Sequence, residues 1–91
     1  MPFRREAAMT TPSERTRNIL QAGAFLKELG ADTSLPERVR DEANRLLRHY
    51  PTIGDVKTLA MIEVNSIGSN ILTPQFDPQW CEGYHLGPHI L

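Results

Sequence analysis

Thr11-Pro12-Ser13-Glu14 is the stretch on which the fold turns. Thr11 can cap a helix with its side-chain oxygen. Pro12 suits the first helical position because the amide it lacks would be unpaired there anyway, and Glu14 can reach back to the Thr11 amide. A helix therefore starts here. Ile19, Ala22, Leu26 and Leu29 follow at three- and four-residue spacing, and Phe25 widens the stripe. Gly30 is placed to take the left-handed conformation that ends helices, so the first helix is predicted over about 12–29.

Ser34-Leu35-Pro36-Glu37 repeats the same start chemistry, and Leu35, Val39, Ala43, Leu46 and Tyr50 continue at helical spacing. Pro51 stops this second helix at or just before Tyr50. Arg38 with Glu42, and Asp41 with Arg45, stand four residues apart and read as ion pairs on a solvated face, each contributing about 0.2 to 0.5 kcal/mol. Thr52-Ile53-Gly54-Asp55 offers a third cap, weakened by Gly54 in the first turn. A third helix is expected from there to about Val64 or Asn65, with Val56, Leu59, Ala60, Ile62 or Val64, and Ile67 supplying an apolar face. Beyond it, Gly68, Pro74, Pro78, Gly83, Gly87 and Pro88 are spaced too closely for any long helix.

The pattern is that of an all-α protein, a small three-helix bundle made of an antiparallel helical hairpin plus a third helix. Its expected organisation is a disordered leader at 1–9, a helical domain at 10–67 and an extended, turn-rich C-terminal tail at 68–91 that packs on the core or on a partner. Ile19, Phe25, Leu26, Leu29, Val39, Leu46, Leu47, Val56, Leu59 and Ile62 are the core candidates. Ninety-one residues suit one such domain, with no room for a second core.

Charge limits the function. The net charge is -1, with all ten Lys and Arg and eight acids in residues 1–57, and three acids and no base in residues 58–91. That asymmetry falls short of the basic field nonspecific nucleic-acid binding requires. One cysteine excludes an internal disulfide and suits a reducing compartment, and no segment has the length and apolarity of a membrane span or signal peptide. These features lead to the expectation of a cytoplasmic protein.

The segments MTTPSERTR at 9–17, AGAFLKEL at 22–29 and LPERVRDEANRLLRHYPT at 35–52 resemble a family of small uncharacterised proteobacterial helical proteins. The resemblance covers about residues 9–60 and carries no catalytic residues. It implies Met9 as a natural start and residues 1–8 as an upstream extension, the alternative being a real disordered leader. It leaves the tail unmatched.

The tail ends in QWCEGYHLGPHIL, residues 79–91, which hold the only Trp, the only Cys and two of the three His. Cys81, His85 and His89 recur every four residues and would share a helix face as metal ligands. Gly83, Gly87 and Pro88 oppose that helix, and only half of a paired zinc pattern is present. Nucleophilic catalysis by Cys81 would need a cation or base nearby, whereas Glu82 adjoins it. His49, at the end of the second helix, reads as a cap to the last carbonyls. No phosphate loop, HExxH, GxSxG or EF-hand pattern occurs, so no catalytic residue and no cofactor are assigned.

Two binding readings remain. Arg38, Arg45 and Arg48 on the second helix are the nucleic-acid candidates, disfavoured by the acids beside them. Phe76, Trp80, Tyr84, Leu86 and Ile90 are the protein-contact candidates, since large aromatic and aliphatic groups anchor interfaces. The same groups could equally cover a helical core too small to close itself. The function expected is that of a non-enzymatic protein-binding or regulatory module whose partner is another protein or a second copy.

Overall fold

A computed structural model describes residues 10–66 and 70–83. Among the described residues three α-helices run in chain order, α1 Pro12–Ala31, α2 Glu37–Arg48 and α3 Ile53–Val64, followed by a 3-10 turn at Pro78–Cys81. No strand occurs among the described residues. The architecture is a small all-α bundle in which α1 and α2 pack against each other.

Two of the three helix starts follow the capping chemistry. Thr11 Oγ1 accepts from the Glu14 amide at 3.1 Å while the Thr11 amide donates to Glu14 Oε1 at 2.9 Å. Thr52 and Asp55 make the same reciprocal pair, both bonds at 3.0 Å, so Gly54 in that first turn does not prevent the cap. The predicted cap at Ser34 is not made. The Ser34 amide and hydroxyl both donate to Asp32 Oδ1, at 2.9 and 2.6 Å, which closes a turn instead. These bonds hold the Asp32 carboxyl below its ordinary pKa. Pro36 then occupies the N-cap position of α2 without a side-chain bond.

Gly30 does not end α1. The helix runs on to Ala31, and Asp32 caps it in an extended conformation. Gly30 serves close packing: a Cβ placed there would collide with the Asn44 side chain, whose Nδ2 donates to the Gly30 carbonyl at 3.4 Å. On α2, Arg45 pairs with Glu42 three residues back, in place of the predicted partner Asp41.

The core follows the predicted stripes of α2 and α3 in part, with Ala43, Val56 and Ala60 buried where those stripes place them, and departs from the stripe on α1. Leu20, Ala43, Val56 and Ala60 are buried together with the polar Thr16 and Thr52 and with Gly23. Phe25, Leu46, Leu59 and Ile62, expected inside, are exposed at 57, 42, 53 and 57 %. On α1 the inward line is Thr16, Leu20 and Gly23, again at helical spacing but rotated away from Phe25. Tyr50 is half-buried, and its hydroxyl donates to the Ile19 carbonyl at 2.6 Å, tying the corner between α2 and α3 to the middle of α1.

Residues 70–83 lie back on the helices as a strap. The amides of Ile71 and Leu72 both donate to the Glu63 carboxylate, the Leu72 bond at 2.7 Å. Arg15 Nε donates to the Ile71 carbonyl at 3.0 Å. The Thr73 amide donates to Thr16 Oγ1 at 3.0 Å, while that hydroxyl donates to the Pro12 carbonyl at 2.7 Å. Farther on, the 3-10 turn packs on α1. Of the two roles open to the tail, this part covers its own helices. The leader at 1–9 and the tail residues Tyr84, His85, Leu86, His89 and Ile90 lie outside the described residues.

Candidate functional site

The strap accounts for the aromatic residues the sequence singles out. Phe76 and Trp80 are half-buried, with ring centroids 6.3 Å apart, and Lys57 Nζ stands 5.4 Å from the Phe76 ring centroid. That spacing is within reach of a cation–π attraction. Both rings make contacts within the chain and keep part of their surface accessible.

Cys81 closes the 3-10 turn and is half-buried. Burial pushes its thiol pKa up, and Lys57 pulls only partly the other way. The fold thus brings a cation near the thiol that the local sequence lacks, yet desolvation outweighs it. Alkylation by iodoacetamide near neutral pH is expected to run more slowly than for an unfolded control peptide and to rise only at alkaline pH. An equal rate in both, measured by mass spectrometry over time, contradicts this assignment. Among the described residues no three His, Cys, Asp or Glu side chains are gathered as a metal-ligand set, and His85 and His89 lie outside them.

Arg38, Arg45 and Arg48 line one open face of α2 together with Glu37, Asp41 and Glu42. Three bases against three acids give that face no net positive field, and Arg45 is tied to Glu42. His49 is the exposed C-cap residue of α2, its amide donating to the Leu46 carbonyl at 3.2 Å.

Two features of the helices are apolar, a groove and a ridge. Leu26 and Leu29 of α1 with Val39, Ala43 and Leu46 of α2 line an open groove of about 210 Å³, and Arg38 and Glu42 stand at its rim. On α3, Leu59 and Ile62 are three residues apart and form a ridge on one side of the helix. The ionisable groups of α3 are Asp55, Lys57 and Glu63. Asp55 caps the helix, Lys57 stands over Phe76 and Glu63 holds the strap, which leaves the ridge itself uncharged.

Sequence reasoning named Leu46, Leu59 and Ile62 but assigned them to the core. A helix carrying apolar residues on several sides and few charges was the available signal of a second contact face. Comparison with known protein families, curated proteins and solved structures finds no match. Among the described residues no helix is long and apolar enough to cross a membrane.

Proposed function

We propose that this protein is a non-enzymatic, cytoplasmic polypeptide-binding module with a regulatory role, working through the apolar helix faces it leaves uncovered. The observation that carries this reading is the set of aliphatic side chains outside the core: Leu46 in the α1–α2 groove and Leu59 and Ile62 on the α3 ridge. Isolated exposed aliphatics are ordinary on a protein surface, but a groove with an apolar floor and an apolar ridge are the surfaces that partners bury. The tail supports the same reading less directly. Phe76 and Trp80 stabilise the shape of the helical unit, and Tyr84, Leu86 and Ile90 extend the apolar chemistry of the chain.

Capture experiments test this. Full-length protein is immobilised beside the Leu46→Gln and Leu59→Gln variants, and bound polypeptides, including untagged copies of the chain, are compared. A polypeptide retained by the wild type and lost from either variant supports the reading. Identical binding by all three overturns it, as does a reproducible turnover abolished by Cys81→Ser.

A further inference from the structure

We draw no further inference here: the strongest candidate, the open apolar groove between α1 and α2 with the Leu59 and Ile62 ridge on α3, carries nothing beyond the reading above because nothing in the structure shows what covers either surface.

Discussion

Leu20→Ala is expected to destabilise the protein by about 2 to 5 kcal/mol, the usual cost of truncating a fully buried leucine. Leu20 is wholly inaccessible, on the inward line of α1 between Thr16 and Gly23. Removing its terminal carbons forfeits their transfer free energy and leaves a cavity that the helices can collapse only in part. A domain of 91 residues has a total stability of roughly 5 to 14 kcal/mol at ordinary values per residue, so this single change removes a large fraction of it. The melting temperature should fall by some 8 to 40 °C, at about 4 to 8 °C per kcal/mol for a domain of this size. Phe25→Ala is the comparison that gives the result its meaning. Phe25 is 57 % exposed, and its removal should cost less than about 1 kcal/mol. Urea unfolding of both variants decides. A larger loss for Phe25→Ala than for Leu20→Ala would mean that the periodic stripe, not the rotated line, faces the core.

Thr16→Val should release the strap while leaving the helices in place. Valine keeps the shape of threonine and loses the hydroxyl, so the Thr73 amide, 3.0 Å from Thr16 Oγ1, would be left without its acceptor in a partly buried position. A donor stranded in that way costs about 1 to 3 kcal/mol. Local opening of the strap should then be favoured about 5- to 150-fold, read as faster hydrogen exchange at the Thr73 amide. Thr16→Ser keeps the oxygen that accepts the bond and should restore protection at Thr73, even though losing the methyl lowers global stability slightly. Exchange at Thr73 that is the same in Thr16→Val and the wild type would show that the hydroxyl does not hold the strap. The neighbouring bonds to Glu63 and Arg15 act on Ile71 and Leu72, so their amides should respond less than that of Thr73.

The candidate site was only partly legible in the sequence. Leu46, Leu59 and Ile62 could be recognised as apolar residues on helical faces, but not as exposed ones, because periodicity gives the direction of a side chain and not what lies opposite. Phe76 and Trp80 drew attention for their chemistry, but their neighbours could not be read from the sequence. They pack with each other and near Lys57, a residue on a helix that ends before the strap begins. The Cys81 thiol likewise meets Lys57 only through the fold. Thr16 and Thr52 had no claim to the core by composition. They are buried because hydrogen bonds satisfy their hydroxyls, to the Thr73 amide and the Pro12 carbonyl for Thr16 and to the Asp55 amide for Thr52.

What the sequence by itself determined is local: where two helices begin, that Pro51 and the glycine- and proline-rich tail separate and end them, and that the described chain is all-α. Those features depend on groups a few residues apart, which share the same neighbours in any arrangement of the helices. Tertiary structure alone decided how far each helix is rotated about its axis, and hence that Leu20 is buried while Phe25 and Ile62 are not. It also decided that Ser34 serves a turn and that the strap closes over α1 and α3. The physical reason is that burial belongs to pairs of surfaces: the strap amides of Ile71, Leu72 and Thr73 needed acceptors, and Glu63 and Thr16, distant in sequence, supplied them.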